Sequence, residues 1–288
     1  MTSVPKVIDV ELALQEKIPD IYKKIPGVLI RLMEKVIRQD DMNRMIHESS
    51  HLNGIPLVDW VLDQFGVNIV VKGKKLIPKK GRYIYPANHP IGSLDGLAIV
   101  SVVAKIHPLI KFVANDLLRV IKGFDSISLY IARFGQINRR NAILINKTLA
   151  SEAQLLVQPA GTVSKRNPVK ISDLAWNKFF IHKAIQYKRD VIPVHVQARN
   201  SRLFYNIASF RKIFRIKANL EMFLLPREMF NKSGKTITIT FGIPIAYKTF
   251  DDSRTHLEWA QKVREYVYVL GSEKFSSANT IPAFSEVL

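Results

Sequence analysis

Apolar residues in the first 65 positions recur at helical spacing. In IPGVLIRLMEKVIRQ (25–39), Val28, Leu29, Leu32, Val36 and Ile37 fall near one face, with Arg31, Lys35 and Arg38 on the other. The spacing predicts a basic amphipathic helix, suited either to a membrane surface or to packing on a core. Further helices are predicted over Asp40–Glu48 and Pro56–Phe65. From residue 67 the pattern changes. VNIVVKG (67–73) and YIYPA (83–87) read as short strands, and more follow at Ile110–Ala114, Gln154–Gln158, Val191–Gln197 and Thr236–Phe241. Helices are predicted at Leu94–Lys105, Ala142–Ser151, Ala175–Tyr187 and Trp259–Leu270. Strands alternating with helices predict an α/β fold: a mixed, largely parallel sheet flanked by helices. The expected organisation is an N-terminal helical segment (1–66) and an α/β domain (67–288), without internal repeats.

Composition adds a partner class. The 288 residues suffice for a sizeable core. Lys and Arg total 43 against 24 Asp and Glu, a formal net charge of +19. Such a surface attracts polyanions: nucleic acid, anionic headgroups or an acidic protein. The basic residues are scattered and match no nucleic-acid-binding motif, so nucleic acid is not the expected partner. The chain has no cysteine, which excludes disulfides, thiol catalysis and Cys-based zinc sites. The N-terminus shows no apolar core of a signal peptide. The longest apolar run, Gly96–Ala104, stops at Lys105, well short of the ~18–20 residues a span needs. Any work on membranes is expected from the surface.

The stretch YPANHPIGSLDGLA (85–98) carries the candidate chemistry. It reads as a strand ending in a turn, with Pro90 stopping the extended segment and Gly92 giving the loop freedom. A helix then starts, with Ser93 as a candidate N-cap. His89 falls at the C-terminal end of the strand, where α/β sheets place their sites, and Asp95 falls in the first helical turn. A carboxylate bound to one imidazole nitrogen fixes the tautomer and leaves the other nitrogen as a base. That base could deprotonate a hydroxyl attacking an acyl carbon. The alternative is a histidine hydrogen-bonded within a turn and an aspartate serving only as a helix-start charge. The remaining histidines have no metal-ligand spacing, and no metal is expected. His195 reads as a satisfied core residue, and Trp176, Phe179 and Phe180 as core.

NHPIGSLD resembles the Asn-His-x4-Asp block of the glycerolipid acyltransferases, the 1-acylglycerol-3-phosphate acyltransferase superfamily, with five residues instead of four between His89 and Asp95. Continued as NHPIGSLDG, this HX5D form looks like the hemolysin-labelled subgroup, related to the O-acyltransferases that make ornithine and glycine lipids. FGQINRRNA (134–142) is similar to the second block, whose Arg contacts the acceptor headgroup; that role maps to Arg139, with Arg140 a close second. QLLVQPAGTVSKR (154–166) resembles the third block, with Gln158 at the Phe position and Ala160 at the Glu position. DVIPVHV (190–196), RNSRLFYNIA (199–208), LPREMF (225–230) and ITITFGIPI (237–245) follow in the order of this subgroup.

The resemblance implies a peripheral acyltransferase on the cytoplasmic face of the inner membrane. It implies His89 and Asp95 as the catalytic pair, and acyl carrier protein or acyl-CoA as donor without a further cofactor. The acceptor would be a lyso-lipid, with lyso-glycine or lyso-ornithine lipid favoured and lysophosphatidic acid second; an N-acyltransferase acting on the amino acid is a third reading. Substrate contacts are expected from Asn88, Gly92, Arg139, Arg140, Pro159, Gly161, Ser164, Lys165 and Arg166. Backbone N–H groups at the Pro90–Gly92 turn or around Gly161 are the candidate oxyanion donors. A different class, a basic membrane- or nucleic-acid-binding protein without catalysis, is permitted by the charge alone.

Overall fold

A computed structural model describes residues 6–131, 139–167, 170–215, 220–272 and 281–287. Five helices come first: α1 (Val10–Lys17), α2 (Pro19–Tyr22), α3 (Gly27–Ile37), α4 (Gln39–Glu48) and α5 (Ile55–Gln64). Then come β1 (Asn68–Lys72), β2 (Tyr83–Pro86), α6 (Leu94–Ala104), β3 (Ile110–Asn115), β4 (Ser128–Ile131), α7 (Arg139–Ala150) and β5 (Gln154–Val157). A two-residue hairpin follows, β6 (Lys165–Arg166) and β7 (Ile171–Ser172), before α8 (Phe179–Tyr187), β8 (Asp190–Val191) and β9 (Val194–Gln197). Then follow α9 (Arg202–Ile213), α10 (Leu225–Phe230), β10 (Thr236–Phe241) and α11 (His256–Leu270).

The central sheet has the order β4-β3-β5-β2-β8 and is parallel throughout. A second sheet, β1-β10-β9, combines a parallel and an antiparallel pair, and a parallel bridge from Ala87 to Val194 joins the two. Both faces of the central sheet are covered. Tyr83 and Tyr85 of β2 enter one core with α5, α6 and β10, while Ile84 between them enters the other, with α7, α8 and α11. Alternation along the strand thus separates two apolar environments, which is why YIYP reads as an unbroken buried run. Leu57, Val58 and Leu62 of α5 belong to the first of these cores, so the helical segment is packed onto the sheet.

The run predicted as one strand over Val191–Gln197 is two. Val191 pairs in the central sheet, and Val194–Gln197 pairs antiparallel with β10. Pro193 between them has no N–H for a ladder, and its carbonyl accepts from Gly242 N at 2.8 Å. The helix predicted from Ala175 begins at Phe179, because Trp176 is tied on both backbone groups to the Gln261 amide of α11. Trp176 and Phe180 are fully buried and Phe179 is half-buried. The amphipathic N-terminal helix runs the opposite way round from simple core packing: Ile30 faces in, while Val28, Leu29 and Leu32 are 73%, 44% and 54% exposed.

Arg189 fixes the approach to β5. It is completely buried, and its guanidinium donates to the carbonyls of Leu149 (2.9 Å), Ala153 (2.7 Å), Thr148 (3.3 Å) and Ser151 (2.5 Å). These are the last carbonyls of α7 and the turn after it, where a cation is favoured by the helix dipole. Burial, followed by the nearby Arg82 charge, lowers its pKa to about 10.

Candidate active site

Because the strands of the central sheet are parallel, their C-terminal ends share one edge. Neighbouring strands β2 and β5 deliver Asn88–His89–Pro90 and Gln158–Pro159–Ala160–Gly161 there. Asn88 is buried and stitches the turn to the second sheet. Its Nδ2 donates to the Val196 carbonyl (2.9 Å), and its Oδ1 accepts from Val196 N (2.6 Å). Asn200 Nδ2 reaches the Pro90 carbonyl at 3.4 Å. Gly92 has φ +91°, and a Cβ there would lie 2.8 Å from Leu225 Cδ2, so both conformation and space require glycine.

Asp95 organises the turn. It is completely buried, the second residue of α6. Its Oδ2 lies 3.0 Å from His89 Nδ1 and accepts from Ile91 N (3.1 Å) and Gly92 N (3.4 Å); its Oδ1 accepts from Gly96 N (2.8 Å). Ser93, the expected cap, holds φ −151° and ψ −65°; its hydroxyl makes no capping bond and is buried without a partner. The Asp95 carboxylate takes the free N–H groups instead. Burial pushes Asp95 up, but the His89 charge and hydrogen bond, with the backbone N–H groups, outweigh it and hold the carboxyl below its ordinary range. For His89, burial lowers the pKa, yet Asp95, and to a lesser degree Asp173, raise it above the usual value. With Nδ1–H held by Asp95, Nε2 is the nitrogen left for proton transfer. The side chain is 17% exposed.

A second carboxylate, missed in the sequence, braces this pair from behind. Asp173 is buried between β7 and α8. Its Oδ1 accepts from His89 N (3.2 Å) and Ser164 Oγ (2.5 Å), and its Oδ2 from Trp176 Nε1 (2.9 Å). Its own N–H donates to Tyr268 OH (2.6 Å), and its carbonyl accepts from Arg264 Nη2 (2.5 Å). Ser164 N also donates to the His89 carbonyl at 2.7 Å. The turn bearing His89, the loop after β5 and helix α11 therefore meet at one residue.

The other predicted site residues separate by exposure. Ser164 is buried against Asp173, and Pro159 is buried with its carbonyl accepting from Asn177 N (3.1 Å) and Asn177 Nδ2 (2.5 Å). Gly161 is exposed with φ +65° and open space where a Cβ would stand. Lys165 is half-buried and Arg166 exposed on the hairpin; Arg139 is exposed at the start of α7. Residues 134–138 of the second block, and the side chain of Arg140, lie outside the described residues. The expected oxyanion donors at the Pro90–Gly92 turn are already spent: Pro90 has no N–H, and those of Ile91 and Gly92 point at Asp95. The Gly161 N–H donates to the Gln158 carbonyl at 3.0 Å.

Beside the turn lies a cavity of about 190 Å³, lined among others by Asn88, Ser164, His195, Tyr268 and Gly271. His195 is buried as expected, but its Nδ1 has no hydrogen-bond partner, and burial pushes its pKa down to about 4. Among the described residues, no group of His, Asp or Glu is arranged to hold a metal ion.

Residues 12–276 match the sequence profile of the acyltransferase family. The chain belongs to that family and is an acyltransferase. It is 37% identical to a lyso-glycine lipid O-acyltransferase of Bacteroides thetaiotaomicron over 92% of this chain and 97% of that one. It is 33% identical to a lyso-glycine lipid O-acyltransferase of Phocaeicola vulgatus over 92% and 95%. Among solved structures, the 1-acyl-sn-glycerophosphate acyltransferase of Thermotoga maritima aligns over 75% of this chain and 80% of that one, with 19% identity and a TM-score of 0.46.

Proposed function

We propose that this acyltransferase moves a fatty acyl group from the thioester of acyl carrier protein or coenzyme A to the hydroxyl of a lyso-lipid. Lyso-glycine lipid is the favoured acceptor. The observation that carries the reading is the His89 Nδ1–Asp95 Oδ2 contact of 3.0 Å at the edge where the sheet opens. Asp95 holds the proton on Nδ1, and Nε2 takes the proton of the acceptor hydroxyl as its oxygen attacks the thioester carbon. The tetrahedral oxyanion then collapses, the C–S bond breaks, and the departing sulfur receives the proton from His89. No nucleophile on the protein and no cofactor enters this sequence of steps.

The names of the two relatives support the acceptor, and Arg139, Lys165 and Arg166 are cations suited to a carboxylate headgroup. The +19 charge supports action on an anionic membrane and suits an acidic acyl carrier protein. No helix among the described residues is long and apolar enough to cross a membrane.

The test is mass spectrometry of lipid extracts from a deletion strain complemented with wild type or His89→Ala. Accumulation of an N-acylated monoacyl glycine lipid, with loss of its diacyl form and rescue by wild type alone, is the expected result. Build-up of lysophosphatidic acid instead would keep the mechanism and replace the acceptor. Unchanged lyso-lipids in all strains would remove the catalytic reading.

A further inference from the structure

Three elements distant in sequence pack together and turn apolar faces outward. Under them lies a small core: Val36 of α3, Phe204, Tyr205 and Ile207 of α9, and Met222 and Leu224 of the 3-10 turn Leu220–Leu224. Their outer faces are different. On α3, Val28, Leu29 and Leu32 are exposed; on α9 and the residue after it, Leu203 (44%), Phe210 (54%), Ile213 (75%) and Phe214 (61%). On the 3-10 turn, Phe223 is 54% exposed. Among the described residues, no other phenylalanine belongs to the exposed large hydrophobics. Phe210 and Phe214 pack with ring centroids 4.2 Å apart and planes tilted by 38°, forming one apolar ridge.

The rim of this face is cationic. Arg31 and Lys35 border the exposed stripe of α3, with Lys23 and Lys24 before it, and Arg202 and Arg215 flank that of α9; all are exposed. Acidic side chains are few here, with Asp20 and Asp40 exposed at the two ends of the α3 stretch. Residues 199–215 contain none, Glu34 is half-buried, and Glu221 is buried in an ion pair with Arg211 at 2.9 Å. Aromatic and aliphatic side chains standing proud of a cationic rim are the pattern of a surface that sinks into the headgroup layer of an anionic bilayer.

We propose that the outer faces of α3, α9 and the Leu220–Leu224 turn form one docking surface for an anionic phospholipid bilayer. This rests on the reading of the protein as a membrane-surface enzyme and assigns the surface to particular residues. Its position has a consequence for the reaction. Val163, one residue before Ser164, packs against Phe204, Tyr205 and Leu224 in the core beneath the face. Leu225, next in sequence to that turn, touches the Gly92 position. Docking through this face would hold the His89 turn beside the lipid surface, so that a lyso-lipid could reach the site without leaving the membrane.

The test uses sedimentation with vesicles of phosphatidylglycerol and phosphatidylcholine (1:1) and with phosphatidylcholine alone, on full-length protein. Two variants are compared with wild type: F210S/I213S/F214S on α9 and L29S/L32S on α3. Each replaces outward-facing side chains, and thermal melting verifies the fold. Acyl transfer to a detergent-dispersed acceptor is measured in parallel. Wild type should bind the anionic vesicles much more tightly than the neutral ones, and each variant should bind them at least about tenfold more weakly. Both variants should keep detergent-phase activity within about twofold. Vesicle binding by either variant equal to wild type would overturn the surface assigned here. So would a wild type that ignores vesicles, or variants that lose an acidic acyl carrier protein and keep the bilayer. A wild type that binds vesicles but transfers no acyl group would overturn the proposed reaction and leave the docking surface standing.

Discussion

Replacing Asp95 by Asn should separate the roles of charge and shape at the site. The carboxylate is fully buried and accepts at two oxygens: His89, Ile91 and Gly92 on Oδ2, and Gly96 on Oδ1. Asn has one acceptor. Turning its oxygen toward the three donors places its NH2 against Gly96 N–H, a donor facing a donor. That leaves a buried group unsatisfied and should cost about 1–3 kcal/mol of stability. The catalytic loss should be larger. Without the carboxylate, nothing holds the proton on Nδ1, and general-base assistance of roughly 10²–10⁴ in kcat should disappear, equivalent to about 3–5 kcal/mol. The pH profile supplies the independent sign. In wild type, Asp95 overcomes burial and raises the His89 pKa, so the acid limb of kcat/KM should lie above the ordinary histidine value of 6.5. In D95N burial dominates and the limb should move to lower pH. Release of free thiol from acyl-CoA between about pH 5 and 9 reads both quantities. A loss under about tenfold, or an acid limb that stays where wild type has it, would refute the dyad.

Asp173→Asn keeps the volume but sets an NH2 against Trp176 Nε1–H and removes a charge that raises His89. It should lower the thermal midpoint and shift the acid limb downward, which a purely structural brace would leave in place. Arg189→Met strands the carbonyls of Thr148, Leu149, Ser151 and Ala153, and should cost roughly 2–4 kcal/mol in urea unfolding. Gly271→Ala would put a Cβ 2.1 Å from His195 Cε1, so it should destabilise by about 1–3 kcal/mol; His195→Ala in the same chain should recover most of that, a coupling read by a double-mutant cycle. The raised His89 pKa contributes stability below 6.5 that is lost as pH rises through its folded value. The lowered Asp95 pKa contributes above 3.8 and is lost as pH falls through its folded value. The stability gap between wild type and His89→Gln should therefore be wider at about pH 5 than at about pH 9 in urea titrations.

The buried strands and the motif turn were legible because their signals are local. YIYP followed by Asn-His-Pro and a helix start contains the whole path from β2 to Asp95 within fourteen residues, 83–96. What was not legible depends on contacts between distant segments. Asp173 sits in a short aperiodic stretch, and its partners His89 and Tyr268 are 84 and 95 positions away, so nothing nearby marks it as a brace. β4 is too short for a period, and α9 exposes Leu203, Phe210 and Ile213, which blurs the contrast between a buried and a wet face. The break at Pro193 was visible in principle, since proline removes a ladder donor, but the apolar residues around it read as a continuous strand. The expected contacts of Asn88 and Ser164 with substrate follow from the motif alone; in the fold both side chains are buried against the protein's own backbone and Asp173.

The most direct test of the account uses purified protein, an acyl thioester and monoacyl glycine lipid, with the ester product followed by mass spectrometry. Wild type should form the diacyl lipid with release of one thiol per ester. His89→Ala, with its fold verified by thermal melting, should do so about 10²–10⁴-fold more slowly. Product formation by His89→Ala at a rate near wild type would contradict the assignment of His89 as the base.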